Sequence, residues 1–248
     1  MKIQNKNIAF LFCLLLLLFG NLSLVSCIHE SGHINFNSPS PIPARNKAHS
    51  NDIQISRNDD NIKLSGSEVF SKYNNAVFTI VTLVNQYSGY QGSGFFINDS
   101  GLAVSNYHVF KGTRKGVEMI KLANSDEVYK VAEVIAYSAK DDFIVFRVDI
   151  TNNQFIPIAD RRPLVGERVF AIGSPKGLVN TFSSGEISQW RGNIIQIDVP
   201  IDHGSSGGAL INEYGEVVGI TSGTFDDVSK ANLNYALSID VIKKSISQ

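Results

Sequence analysis

From about residue 76 onward the chain is a succession of short apolar runs, each closed by a turn signal. The runs fall at 76–84, 92–97, 102–105, 117–122, 128–137, 143–148, 168–172, 194–199, 209–211, 217–221 and 235–239. Segments such as Asn98-Asp99-Ser100-Gly101 and Asn212-Glu213-Tyr214-Gly215 separate them. Many short strands with glycine-containing turns build a sandwich or barrels and argue against alternating strand–helix units. One amphipathic helix over 68–75 precedes the first run. A final helix through Ile246 follows the last, with Asp240 placed as its N-cap. The space between is enough for two small barrels sharing one interface.

The N-terminus has a different texture. Lys2 and Lys6 precede an almost wholly apolar stretch from Ile8 to Phe19, which contains Leu14-Leu15-Leu16-Leu17-Leu18. That is the pattern of an export signal. It ends in Leu24-Val25-Ser26-Cys27, which resembles the lipobox of bacterial lipoproteins. The resemblance implies removal of a signal peptide at 1–26 and lipidation of Cys27. An uncleaved anchor and plain secretion are the other readings, and all three place the remainder outside the cytoplasm. In a host with two membranes, the resemblance implies the outer membrane, facing the periplasm. Residues 27–65 are rich in Asn, Ser and Asp around Ser38-Pro39-Ser40-Pro41-Ile42-Pro43. Such a segment buries too little apolar surface to offset its ordering entropy and reads as a tether. Its His29, His33 and His49 have no recurring second ligand, so no metal is expected. The folded domain is expected over 66–248.

Composition narrows the function further. The chain's 22 basic and 23 acidic residues argue against a nucleic-acid partner. Its 2 cysteines, Cys13 and Cys27, leave the folded domain without a thiol.

Three segments carry chemistry. In Asp202-His203-Gly204-Ser205-Ser206-Gly207-Gly208 the glycines permit a tight turn that projects the Ser206 hydroxyl. The amides of Gly204 and Ser206 are placed to hold a developing oxyanion. Ser105-Asn106-Tyr107-His108-Val109 supplies an imidazole, whose ordinary pKa near 6.5 suits a general base at neutral pH. Asp141-Asp142-Phe143-Ile144-Val145-Phe146 sets a carboxylate at the mouth of an apolar strand, where it can orient an imidazole.

The order His108, Asp142, Ser206 is that of chymotrypsin-like enzymes. The chain resembles trypsin-like serine proteases of the HtrA (DegP-like) branch. The resemblance rests on Gly92-Ser93-Gly94-Phe95 and His108-Val109. It continues in Ala171-Ile172-Gly173-Ser174-Pro175, Ser184-Gly185-Glu186-Ile187-Ser188 and Gly215-Glu216-Val217-Val218-Gly219-Ile220, and ends in Asn234-Tyr235-Ala236-Leu237-Ser238-Ile239. It implies an all-β fold of two six-stranded antiparallel barrels with a short C-terminal helix. It also implies a Ser-His-Asp triad with no cofactor and no metal, and protein or peptide substrates. Asp142 is preferred to Asp141 because the family's acid directly precedes the apolar strand. Asp198 matches a further family position, with a pocket-wall or structural role.

By the same resemblance Ile201 contributes to the wall of the substrate pocket, and Ile220-Thr221-Ser222 forms the strand that pairs with the peptide. Pro200 lies near the position where a trypsin-type pocket holds an acid, so cleavage is expected after small or medium apolar residues. His203 stands where the family commonly has Pro, which loosens the loop, and Ala209 also replaces a Pro. The sequence runs to residue 248, so the family's PDZ-gated regulation is not expected to carry over. A homotrimer built through Phe70 or Tyr73 is less favoured than packing of both on their own domain. The competing functional class is a catalytically silent scaffold or a chaperone-like protein.

Overall fold

The computed structural model describes residues 62–83, 88–112, 118–174, 180–224 and 234–247. The expected signal peptide, Cys27 and the tether up to residue 61 lie outside the described residues. The end of the expected tether belongs to the domain instead. The Leu64 amide donates to the Glu213 carbonyl at 2.7 Å, and the Leu64 side chain packs on the core.

Helix α1 (Gly66–Tyr73) starts where Ser65 can cap it. The Glu68 amide donates to Ser65 Oγ at 3.3 Å, and the Ser65 amide donates to the Glu68 carboxylate at 2.7 Å. This reciprocal cap satisfies two otherwise orphaned donors. Hydrogen bonds from the Ser65 side chain and then its backbone hold the Glu68 carboxyl below its ordinary pKa. Val69 and Tyr73 form the buried face, and Phe70 meets Phe182 edge-on at 5.8 Å. Both aromatic residues of α1 therefore pack on their own domain.

The first sheet holds β1 (Val77–Leu83), β2 (Gly89–Phe96), β3 (Leu102–Ser105), β4 (Met119–Leu122), β5 (Val128–Tyr129), β6 (Val131–Ser138) and β7 (Phe143–Val148). Its order is β5-β4-β1-β2-β3-β7-β6. It has seven strands rather than six because the expected run 128–137 divides at Lys130. β5 pairs with β4, whereas β6 turns to pair with β7. The turn after β2 is tied by Asn98, whose Oδ1 accepts from the amides of Ser100 and Leu102.

The second sheet holds β8 (Arg168–Gly173), β9 (Thr181–Arg191), β10 (Ile194–Ile197), β11 (Ala209–Asn212), β12 (Val217–Thr224) and β13 (Asn234–Ser238), and closes into a six-stranded barrel. Helix α2 (Ile239–Ile246) follows. Its cap is Ser238 rather than Asp240, because Ser238 Oγ accepts from the Asp240 amide at 3.3 Å. Asp240 instead sits in the first turn and pairs with Arg162 at 2.6 Å.

Neighbouring side chains on a strand point to opposite faces. Phe95 and Phe96 are both fully buried, so β2 has two dry faces. Phe96 packs with Phe78, Ile80 and Phe146 inside the first sheet. Phe95 points the other way, into a cluster that also draws Ile172, Ile211, Ile220 and Leu237 from the barrel. Burying each phenylalanine contributes about 1.5–3 kcal/mol. That shared cluster holds the two sheets together, and the candidate site lies where they meet.

Candidate active site

β3 and β7 run antiparallel, with Ser105 opposite Ile144. The residues just after β3 therefore lie beside the residues just before β7. After β3 the chain enters a 3-10 helical turn over Tyr107–Phe110, which carries His108. Before β7 it passes through Asp142 at φ 56°, a left-handed conformation that Asp tolerates better than most residues. The two side chains meet. His108 Nδ1 lies 2.8 Å from Asp142 Oδ2, and the His108 amide donates to Asp142 Oδ1 at 2.8 Å. One carboxylate thus fixes both the ring and the backbone of the histidine. A carboxylate facing Nδ1 calls for a proton there, which leaves Nε2 as the acceptor. Asp141 is turned elsewhere, accepting from Ser138 Oγ at 2.8 Å.

Ser206 comes from the other sheet, on the turn that leads into β11. The turn is tied amide by amide. The Ser205 amide donates to Asp202 O at 3.0 Å, Gly207 to Thr221 O at 2.7 Å, and Gly208 to Ser205 O at 2.9 Å. The His203 amide donates to Asp202 Oδ1 at 2.7 Å. Among the described residues the amides of Gly204 and Ser206 have no acceptor within the chain. Gly204 has φ 95°, the value a type II turn requires at its third residue, and a side chain there is strained. Gly207 has φ 89°, and a Cβ on it would collide with Ser93 O and Ser105 Oγ. The Ser206 carbonyl accepts from the Ser93 amide at 2.8 Å, which joins the turn to β2. No hydrogen bond links Ser206 Oγ to His108 among the described residues.

An open cavity of about 640 Å³ abuts this turn. Its walls include Ile172, Phe182, Pro200, Ile201, Ser205 and Thr221, with Asp202 also bordering it. Ile201 and Thr221 line this cavity. Ile220 does not: its side chain is fully buried in the shared core, pinned between β11 and β13. Ser222 lies outside the cavity wall and meets Asn106 instead, at 3.0 Å. Asp198 ties strands together by accepting from the Glu186 amide.

Sequence reasoning passed over Asn106. It is fully buried, and its amide group donates to Asp142 O at 2.8 Å as well as to Ser222 Oγ. Its one visible signal was a polar residue held between a strand and the histidine turn.

A two-sheet β fold with an Asp-oriented imidazole, and a serine turn whose Gly204 and Ser206 amides are unbonded among the described residues, is that of the trypsin-like class. The model of the trypsin-like peptidase domain matches residues 92–220, and the chain belongs to that family. Among its relatives is a probable periplasmic serine endoprotease, DegP-like, of Halomonas elongata. It is 38% identical over 160 residues, which cover 60% of this chain and 33% of the relative. The serine endoprotease DegS of Escherichia coli is 34% identical over 146 residues, 54% of this chain and 40% of DegS. The crystal structure of the serine endoprotease from Yersinia pestis superposes with a TM-score of 0.66 at 28% identity. That match covers 74% of this chain and 65% of the other. The chain spans well under half the length of these two curated relatives.

Proposed function

We propose that this protein is a serine endopeptidase acting outside the cytoplasm. The observation that carries the proposal is the pair of unpartnered amides at Gly204 and Ser206, on a turn whose other amides are bonded. Ser206 Oγ attacks the peptide carbonyl carbon while His108 Nε2 takes the hydroxyl proton. Asp142 holds the imidazole and stabilises its charged form. The carbonyl oxygen becomes an oxyanion between the two amides. The intermediate collapses, the C–N bond breaks, and Nε2 returns the proton to the leaving amine. Water then attacks the acyl-enzyme by the same route and frees Ser206. These steps use the chain's own residues throughout.

Substrates are proteins or peptides, cut after small or medium apolar residues. Pro200 and Ile201 support this preference because they present apolar surface at the cavity wall. A peptide library cleaved mainly after Lys or Arg overturns it. A lipidated Cys27 tethers the enzyme to a membrane, and protein quality control is the role we propose for it there. Incorporation of labelled palmitate, lost in Cys27→Ser, tests the anchor.

The decisive experiment for the activity is labelling with a fluorophosphonate. Label on the wild type and none on Ser206→Ala supports the enzyme. The missing Ser206–His108 hydrogen bond favours a second reading, a silent or closed resting form. Absence of Ser206-dependent label across several conditions supports that reading.

A further inference from the structure

Ser93 makes a hydrogen bond through every polar group it has, and two of the four fix the nucleophile turn. It is fully buried on β2, between Gly92 and Gly94. Its amide donates to the Ser206 carbonyl at 2.8 Å. Its hydroxyl donates to the Gly204 carbonyl at 2.8 Å. The same oxygen accepts from the Ser174 amide at 2.8 Å, and its carbonyl accepts from Ser105 Oγ at 2.7 Å. The Ser174 amide occupies one lone pair of Oγ and so directs the hydroxyl proton toward Gly204.

The consequence lies in the Gly204–Ser205 peptide. Its carbonyl is held by Ser93 Oγ, and its N–H is held by Asp202 O. With both ends fixed, this plane cannot rotate, and the Gly204 Cα is anchored at the exit of the turn. The Gly204 amide, on the preceding His203–Gly204 peptide, is carried on that anchored Cα, where Gly204 has φ 95°. Glycine alone offers no such control, because it accepts either sign of φ with little penalty. The neighbouring His203 is exposed and brings no proline ring to stiffen the turn.

We infer that Ser93 is a positioning residue whose hydroxyl sets the oxyanion-binding conformation of the Gly204 turn. It touches no substrate; it acts through Gly204. The inference rests on the proposed peptidase reading for its catalytic consequence, but its structural consequence stands apart from it.

The test uses the full-length chain and compares wild type, Ser93→Ala and Ser93→Cys. The cysteine variant is nearly isosteric and a weak donor, which separates loss of the bond from loss of packing. The first readout is amide hydrogen exchange over 202–206, measured in a Ser206→Ala background. Exchange at Ser205 is expected to quicken about tenfold in Ser93→Ala and less in Ser93→Cys, as the pinned peptide is released. Unchanged exchange at Ser205 in both variants overturns the inference. The second readout is the second-order rate of fluorophosphonate labelling, beside kcat and KM on a peptide. A drop of about ten- to a hundredfold in labelling and kcat, with KM little changed, is expected for Ser93→Ala. Equal effects on KM and kcat point to general disruption and overturn the positioning role. If the wild type itself takes no Ser206-dependent label, the peptidase reading fails while the exchange result still decides the role of Ser93.

Discussion

The Asn106 side chain donates to the Ser222 hydroxyl at 3.0 Å, joining the end of β3 to β12 of the opposite barrel. The same amide group donates to Asp142 O, so one buried residue braces the acid and links the sheets. Its Oδ1 has no partner among the described residues. Asn106→Ala leaves the Asp142 carbonyl and the Ser222 hydroxyl without their donor, at about 1–3 kcal/mol of stability. The peptidase rate is expected to fall with it. Urea unfolding and kcat on one sample check both effects, and an unchanged kcat would show that the brace is irrelevant to the histidine.

Asp142 combines a left-handed backbone with a two-point grip on His108. Asn fits the same backbone and keeps an oxygen for the His108 amide, but it faces Nδ1 with an N–H or forces the other tautomer. Asp142→Asn is therefore expected to fold normally and lose about 10³- to 10⁴-fold in kcat. Asp142→Ala loses the rate as well and adds about 1 kcal/mol of backbone strain. Thermal unfolding separates the two variants; equal melting temperatures would remove the strain argument.

Gly207 has a positive φ and no room for a Cβ. Gly207→Ala is expected to destabilise by at least the roughly 1–3 kcal/mol of left-handed strain, before the collision with Ser93 O is counted. Chemical denaturation reads this directly. A variant of wild-type stability would mean that the turn rests in another conformation.

Tyr73 is buried at the end of α1, and its hydroxyl has no partner among the described residues. Burial, followed by repulsion from Glu216, pushes its pKa from 10.0 up to about 12. The unfolded chain ionises first, so this contribution is intact below pH 10 and is lost as pH rises toward 12. Tyr73→Phe is expected to match or exceed wild-type stability at neutral pH and to flatten the decline between pH 10 and 12. Melting temperature against pH measures it, and an equally steep decline in the variant would assign the alkaline loss to other groups.

Most of the strands were legible because each carries its own apolar run, as in Phe143–Val148 and Val217–Thr224. β9 was not, since among its eleven residues only Ile187 is buried and the rest meet solvent in part. Its partners β8 and β10 supply the hydrogen bonds that its own pattern does not announce. The split at Lys130 depends on which strand each half finds, a long-range matter. At the site, the His108–Asp142 pair and the glycine turn carrying Ser206 were legible because glycine, histidine and acid occur in a recognisable order. Asn106 and Ser93 escaped as structural contributors because a buried polar residue declares its partners only in three dimensions. The direction of the Ile220 side chain was hidden for a related reason: its neighbours in sequence approach the site while the side chain itself faces the shared core.

His108 and Asp142 stand on the first sheet and Ser206 on the barrel, with Phe95, Ile172 and Ile220 packed between them. Each half therefore carries only part of the proposed triad, and its alignment depends on how the two sheets pack on their shared core. Damage in that apolar seam has a particular signature: intact secondary structure with the chemistry gone. Random mutagenesis scored by activity alone would mark the seam as though it were the site itself.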